Sequence, residues 1–289
     1  MVIKIKKKQI NEVTNLRSFF DYLEGDKPSR GMVNFFRGHA QQSYILQPSL
    51  FRKKEYRRDE KNIVRELISI QPNEFRDDRT MFEQLVRMQH FSLPTRLLDI
   101  TYNPLVALYF TCIHHPSHDG DLIRLSLRKV DVKYFDSDAV SCVANLSNLT
   151  GRQRDHIRRM TTSEELSGSD TGERLLHFIQ AEKPYFRPRI DIDDLNDIIA
   201  VKPKQTNRRI LAQQGAFLIF GLKTVLPEKN HFAVDIRKIK VPADTKKHIL
   251  TELDGININS STLFPEIESA AKYIMSKITP VNEDFEQLG

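Results

Sequence analysis

Apolar residues recur at helical spacing in several separate stretches of the 289-residue chain. In the first stretch these positions are Val13, Leu16, Phe20 and Leu23. They are three or four residues apart and are followed by Gly25, so they predict a helix that ends on a glycine cap. The same spacing predicts further helices at 63–68, at 80–90, from 104 onward, at 244–253 and at 265–276.

Short apolar runs between those helices predict strands, because each run is bounded by turn-forming or charged residues. The runs lie at 32–38, 95–101, 119–127, 197–201, 216–220 and 231–236. We therefore expect an α+β fold, namely a single mixed domain over 31–276 with a split, mainly antiparallel sheet. A helical lead-in at 1–30 would precede this domain, C-terminal helices would close it, and 277–289 would form a tail.

The stretch 151–172 has few apolar residues and ends in the polar run SGSDTG. Such a composition is typical of a mobile surface loop, and we interpret the stretch as a polar insertion in the domain. The densest basic run outside the N-terminus lies here, with Arg152, Arg154, Arg158 and Arg159. The plainest interpretation of that run is a solvated surface.

Composition and charge narrow the class of protein. With 39% hydrophobic and 28% charged residues and no apolar run of membrane-spanning length, the chain resembles an ordinary soluble domain. The N-terminal lysines lack the apolar core of a signal peptide, and Cys112 and Cys142 lack the spacing of a zinc site, so we expect a cytoplasmic protein. A net charge of +6 favours an acidic partner, either nucleic acid or a phosphate-rich metabolite.

The stretch PTRLLDIT, at 94–101, places charged residues inside an apolar run. It leads to Asn103, which has the chemistry of an N-cap and is followed by proline, so a helix should begin there. Helix N-termini bind anions through unpaired N–H groups, and Thr95, Arg96 and Thr101 would add contacts to a phosphate. The alternative is that the charges of this stretch pair with each other or with neighbours to hold a buried turn.

Four further side chains are candidates for a site. Arg37 shares a face with Phe35 on its predicted strand, which is an unusual place for a solvated charge. Asp99 stands among aliphatic residues and needs a partner of some kind. His90, at the end of the helix 80–90, either caps carbonyl groups or acts at the site. Tyr109 recurs at helical period and is either a core residue or a ligand contact.

Four motifs resemble those of the bacterial FRG-domain family. They are FRG at 36–38, LQPSLFR at 46–52, QHFSLPTRLLDITYNPLVALYF at 89–110 and RRILAQQGAFLIF at 208–220. The segment GININSSTLFPEIESAAKYI, at 255–274, is similar to the C-terminal part of the family. The resemblance implies a widespread bacterial group without a settled activity, found in toxin or phage-defence settings.

The chain also resembles, more weakly, the plan of ADP-ribosyltransferases. In that plan one strand ends with Arg or His, a second carries hydroxyl residues before a helix, and a later strand begins with Glu or Gln. Arg37, then Thr95 and Thr101 on either side of the second strand, and then Gln213 and Gln214 occur in this order. The resemblance implies that NAD is the substrate, with Arg37 on its pyrophosphate and a glutamine on its ribose hydroxyls.

The roles that this resemblance implies extend to other residues. The catalytic candidates are Arg37, Gln213, Gln214 and Asp99. The cofactor-binding candidates are Arg37, His90, Thr95, Arg96, Thr101, Asn103 and Tyr109. Because a glutamine cannot serve as a general base, Asp99 or Glu266 would supply the carboxylate. The acceptor would be a protein or a nucleic acid.

Two other classes of function stay open. A nucleic-acid-directed protein, either a nuclease effector or a binding module, would use the basic run at 152–159 and the lysines at 4–8 for phosphate contacts. A regulatory protein would sense a nucleotide without turning it over.

Overall fold

The computed structural model describes residues 11–228, 234–266 and 273–275, and a seven-stranded sheet lies at its centre. The strands are β1 (Met32–His39), β2 (Leu97–Thr101), β3 (Gly120–Arg128), β4 (Lys133–Tyr134), β5 (Ile198–Lys202), β6 (Gly215–Phe220) and β7 (Val234–Val241). Their order across the sheet is β4-β5-β6-β2-β1-β3-β7, and every neighbouring pair is antiparallel apart from the parallel pair β4 and β5. The predicted α+β fold with a mainly antiparallel sheet is confirmed.

Helices cover the sheet and fill most of its connections. They are α1 (Leu16–Gly25), α2 (Lys54–Ile70), α3 (Met81–His90), α4 (Pro104–Cys112), α5 (Asp138–Asn145), α6 (Gly151–Ile157), α7 (Ser163–Ser167), α8 (Asp170–Glu182), α9 (Ile192–Asn196), α10 (Arg208–Ala212), α11 (Lys246–Gly255) and α12 (Ser260–Leu263). The starts of α3 and α4 follow from the sequence, because Thr80 forms a capping box with Glu83 and Asn103 caps the N–H of Leu105.

The sheet is split between β1 and β2. These two strands share a single register pair, Phe36 with Thr101. By contrast, β1 pairs with β3 over eight residues and β2 pairs with β6 over five. The two halves of the sheet, β4-β5-β6-β2 and β1-β3-β7, therefore separate beyond one point of contact.

Three apolar clusters form the core. On one face, α4 and α11 pack against Phe36 of β1 and Leu122 of β3. On the same side of the other half, α3, α5 and α8 pack against Leu97 of β2 and Phe217 of β6. Because side chains alternate along a strand, the neighbouring residues, among them Phe35, fill a third cluster on the opposite face.

Gly38 allows α4 to lie directly against β1. A Cβ atom at this position would come within 2.2 Å of the Ala107 carbonyl oxygen and 2.5 Å of the Thr111 amide nitrogen. Both are backbone atoms of a helix, so they cannot move aside as a side chain would. The glycine that follows Phe36 and Arg37 is thus required by the packing of α4.

The interpretation of 151–172 as a mobile surface loop is wrong. This stretch forms α6, α7 and the beginning of α8, and Ile157 and Leu166 have no exposed surface. Arg154 is buried as well and donates hydrogen bonds to the carbonyl groups of Leu146 and Leu149. The few apolar residues suffice because they occur at helical positions and because Thr150 caps α6.

Other predicted boundaries shift or fall outside the described residues. Helix α2 is longer than the predicted 63–68, because its first half is a charged stretch without strong apolar spacing. The strand predicted at 231–236 is described from Val234, and most of the helix predicted at 265–276 lies outside the described residues. The same holds for 1–10 of the lead-in, including its lysines, and for the tail 277–289.

Candidate functional site

A cavity of about 260 Å³ lies where β1 and β2 separate. Its apolar wall is formed by Phe36, Val86, Ile100, Val106, Phe110, Ile210 and Phe217. Its polar groups come from Arg37, His39, Arg52, Gln89, His90, Asp99, Thr101, Asn207, Arg209 and Gln213. Strands β1, β2 and β6 are adjacent in the sheet, so their polar residues meet here although they are far apart in the sequence.

Arg37 bridges the split in the sheet. Its Nη1 donates to the backbone oxygen of Asp99 on β2 at 2.6 Å, and its Nε donates to Nε2 of His39 at 3.2 Å. Burial lowers the pKa of the Arg37 guanidinium, while the charge of Asp99 opposes that change. An arginine remains charged at neutral pH, so its other N–H groups are available to an anion in the cavity.

His39 is a neutral neighbour of this arginine. The residue is buried, and burial lowers the pKa of His39 to about 3, with the positive charge of Arg37 acting in the same direction. Its Nε2 accepts the hydrogen bond from Arg37. A protonated ring has no acceptor, so only the neutral imidazole can accept this hydrogen bond from Arg37.

The Asp99 carboxylate faces the cavity, and two successive hydrogen bonds between side chains hold it there. The Gln89 amide donates to Oδ2 of Asp99 at 2.7 Å. The Thr95 hydroxyl donates in turn to the amide oxygen of Gln89. Thr95 itself is buried outside the cavity wall, and its Oγ1 also accepts the N–H of Leu97.

The two adjacent glutamines differ in position. Gln213 lines the cavity, and its Nε2 donates to the Leu263 carbonyl at 3.0 Å. The Thr101 hydroxyl donates to the backbone oxygen of Gln213 at 2.7 Å, which ties β2 to the start of β6. Gln214 is exposed, has a positive φ of 46° and lies outside the cavity wall, so it is a turn residue and not a ligand contact.

Three other predicted contacts also lie elsewhere. Arg96 is 1% exposed and forms a two-bonded ion pair with Glu60, at 2.8 and 2.7 Å, as well as hydrogen bonds to the carbonyls of Phe220 and Gly221. The Asn103 side chain caps α4 at the Leu105 N–H. Tyr109 is 3% exposed and belongs to the apolar core. The alternative of a buried structural charge is therefore correct for Arg96.

His90 does line the cavity, next to a second carboxylate. Its Nε2 lies 3.5 Å from Oε1 of Glu266. Burial lowers the pKa of His90, the charge of Arg209 acts in the same direction, and Glu266 opposes both. Glu266 itself is not part of the cavity wall.

Several residues of the cavity were not recognised from the sequence. Arg52 is exposed at its rim, and Arg209 stacks over the ring of Phe264 with its Cζ 4.8 Å from the ring centroid. His39 and Gln89 also belong to this group. A signal was present, since Arg52 ends the motif LQPSLFR and Arg209 stands in RRILAQQGAFLIF.

The charged side chains and the apolar wall of the cavity indicate which kind of ligand would fit. Among the described residues that line the cavity there are three arginines and one carboxylate, that of Asp99. Aromatic rings of Phe36, Phe110 and Phe217 cover the other side. A ligand with a flat apolar ring and a phosphate suits such a wall. No three His, Cys, Asp or Glu side chains in the described part of the chain are grouped to hold a metal ion.

Comparisons with known proteins support the first resemblance. Residues 33–120 match the FRG domain, a range that includes β1, α3, β2 and α4. The resemblance of the motifs at 36–38, 46–52 and 89–110 to the FRG domain is thereby confirmed, whereas the motif at 208–220 and the segment 255–274 lie outside the matched range. No curated protein and no solved structure matches the chain. Within the described ranges, no helix has the length and apolar character needed to cross a membrane.

Proposed function

We propose that this FRG-domain protein binds NAD in the cavity and transfers its ADP-ribose group. The observation that carries the proposal is the meeting of Arg37, Thr101 and Gln213 in one cavity. Arg37 lies two residues before the end of β1, Thr101 ends β2 and Gln213 lies two residues before β6, and the three strands are neighbours in the sheet. Such a meeting is what the resemblance to the ADP-ribosyltransferase plan would require, and it is our support for the proposal.

The cavity contains positively charged and aromatic side chains that would bind the two parts of a dinucleotide. Arg37 and Arg52 would bind the pyrophosphate, and the phenylalanine rings would contact a base or the nicotinamide. A volume of about 260 Å³ is just below the ~300–1,000 Å³ typical of ligand pockets, so part of a dinucleotide would remain outside. Exposed Arg52 at the rim is placed to contact that part.

Transfer of ADP-ribose depends more on correct positioning of NAD than on a strong nucleophile in the protein. Loss of nicotinamide leaves an electron-poor ribose carbon, and groups that orient the ribose lower the barrier. The Gln213 amide nitrogen is already bonded to Leu263, which leaves its oxygen to accept a ribose hydroxyl. In a bacterial cell such a transfer would modify a protein or nucleic acid, as expected of a toxin or phage-defence component.

The test is release of nicotinamide from NAD by the purified protein, with and without cell extract as a source of acceptor. Arg37→Ala should weaken NAD binding by about 1.5–3 kcal/mol, the usual value of a hydrogen bond to a charged group. Gln213→Ala should lower turnover more than affinity. Gln214→Ala is the matched control, because it changes the adjacent residue outside the cavity and should behave as wild type.

If the folded wild-type protein neither binds NAD nor releases nicotinamide, the proposal is wrong. A second candidate, a nucleotide sensor without turnover, is favoured by Gln213 before β6, because the transferase plan has Glu or Gln there and a glutamine supplies no carboxylate. It predicts calorimetric binding of NAD or ADP-ribose without release of nicotinamide. A duplex oligonucleotide in the same assay tests the nucleic-acid alternative, which is weakened because Arg154 of the basic run is buried.

A further inference from the structure

The carboxylate of Asp99 is oriented by side chains behind it. Asp99 stands in the middle of β2, between the buried residues Leu98 and Ile100, yet its own side chain is exposed to the cavity. Gln89, on the last turn of α3, donates to its Oδ2 at 2.7 Å. Thr95 donates to the amide oxygen of Gln89, which fixes the amide so that its N–H₂ faces the aspartate. A strand and a helix thus hold this carboxylate in one orientation.

The Asp99 carboxylate also forms no ion pair with a described residue. Arg37 lies close enough for its charge to interact with Asp99, but its hydrogen bond goes to the Asp99 backbone oxygen. Among the described residues, none forms an ion pair with Asp99 within 4 Å or donates to its Oδ1. One oxygen is therefore held and the other can accept a proton or a hydroxyl hydrogen from a ligand.

We propose that Asp99 is the catalytic carboxylate of the site, and that Gln89 and Thr95 are positioning residues for it. The inference rests on the proposed transfer of ADP-ribose. Asp99, on β2, would then supply the carboxylate that Gln213, before β6, lacks. Three observations support this assignment. Among the described residues that line the cavity, Asp99 provides the one carboxylate, and its Oδ1 accepts no hydrogen bond from the described residues. Gln89 and Thr95 together fix the orientation of that carboxylate.

In the proposed step, the bond between C1′ of the ribose and the pyridinium nitrogen breaks. Its electron pair leaves with the nitrogen as neutral nicotinamide. The oxygen of an acceptor hydroxyl, or of water, forms a new bond to C1′. That oxygen loses its proton to the Asp99 carboxylate, which later returns the proton to solvent.

The first test compares Asp99→Asn with the wild type at saturating NAD. Asparagine keeps an oxygen that accepts the Gln89 hydrogen bond, so the fold and the NAD site should persist. The rate of nicotinamide release should fall about 100-fold or more, the usual contribution of acid–base catalysis. The dissociation constant for NAD, from calorimetry, should change less than about threefold. Asp131→Asn, which removes a carboxylate paired with Arg128 outside the cavity wall, is the matched control.

The second test addresses Gln89. Gln89→Glu replaces the donating amide by a carboxyl group beside Asp99, and like charges raise each other's pKa. The acid limb of the pH–rate profile should therefore move to higher pH, whereas a role in packing alone would leave the profile in place. Gln89→Leu should reduce the rate about tenfold without that shift, because the carboxylate loses only its orientation.

The outcomes separate the two proposals. A wild-type protein that binds NAD but releases no nicotinamide overturns both the transfer and the role of Asp99. If the wild type releases nicotinamide and Asp99→Asn does so at the same rate, only the assignment of Asp99 is overturned. The same holds if Glu266→Gln, at the carboxylate beside His90, shows the loss in place of Asp99→Asn.

Discussion

At the scale of single residues, the environment of each side chain decides its chemistry more than its type does. Arg37 and Arg96 are both embedded in apolar stretches, yet Arg37 faces a cavity and Arg96 is fully paired inside the protein. Gln213 and Gln214 are adjacent, yet a turn with positive φ sends the second away from the site. Neither difference is visible in local sequence, because both depend on partners distant in the chain.

His39 should make the protein sensitive to acid. Its pKa is about 3 in the folded protein and about 6.5 in an unfolded chain, so below pH 6.5 the unfolded state binds the additional proton. The free energy of unfolding should therefore fall as the pH decreases from 6.5 towards 3. The contribution of this residue amounts to roughly 2 kcal/mol at pH 5.

The measurement is urea unfolding at pH 7.5 and pH 5, for the wild type and for His39→Gln. Glutamine places an oxygen near the position of Nε2, so it retains the acceptor for Arg37 but does not titrate. The variant should lose roughly 2 kcal/mol less than the wild type over this interval. Equal losses in the two proteins would mean that His39 titrates normally in the folded state.

At the scale of elements, α4 lies directly against β1 at Gly38. Gly38→Ala would place a methyl group within 2.2 Å of the Ala107 carbonyl oxygen, so α4 would have to move. We expect a loss of about 1–3 kcal/mol or more in the free energy of unfolding. Ligand binding should weaken too, since Val106 and Phe110 of α4 line the cavity.

Gly25→Ala is the control for this substitution. A methyl group at Gly25 would have no described heavy atom within 4 Å, apart from those of its own helix and its chain neighbours, so an alanine there has open space. The thermal midpoint of this variant should lie close to that of the wild type. A Gly38→Ala protein that is as stable as Gly25→Ala would show that α4 adjusts without cost.

The elements themselves were largely predictable, whereas their arrangement was not. Strands β1, β2 and β6 and helices α3 and α4 follow from apolar spacing and caps, which are local signals. The stretch 151–172 was predicted as a loop because the two short helices and the first turn of α8 that it forms need few apolar anchors. The order β6-β2-β1, which creates the cavity, results from pairings between distant segments, so Arg52, Gln89 and Arg209 could not be placed beside Arg37.

At the scale of the whole molecule, a buried charge cluster joins distant segments. Glu60 of α2 pairs with Arg96 before β2 and lies 3.3 Å from Arg154 of α6. Arg96 also donates to the carbonyls of Phe220 and Gly221 at the end of β6. The two charged residues of PTRLLDIT thus have different roles, because Arg96 bonds the start of β2 to α2 and to the end of β6, whereas Asp99 faces the cavity.

Arg96→Ala should therefore lower stability without a specific effect on the ligand site. Removing one partner of a buried ion pair leaves Glu60 with reduced compensation and the two carbonyls without a donor, at a cost of about 3–5 kcal/mol. Replacing both charges, as in Arg96→Met with Glu60→Leu, removes the carboxylate that lost its partner but also takes that carboxylate away from Arg154, so the double variant should recover only a small part of this loss. Urea unfolding of the single and double variants measures both effects.

Calorimetry on the folded fraction of Arg96→Ala should give the wild-type affinity for NAD, because this arginine does not line the cavity. A stable Arg96→Ala protein that had lost NAD binding would instead return Arg96 to the ligand site, against its burial in the structure.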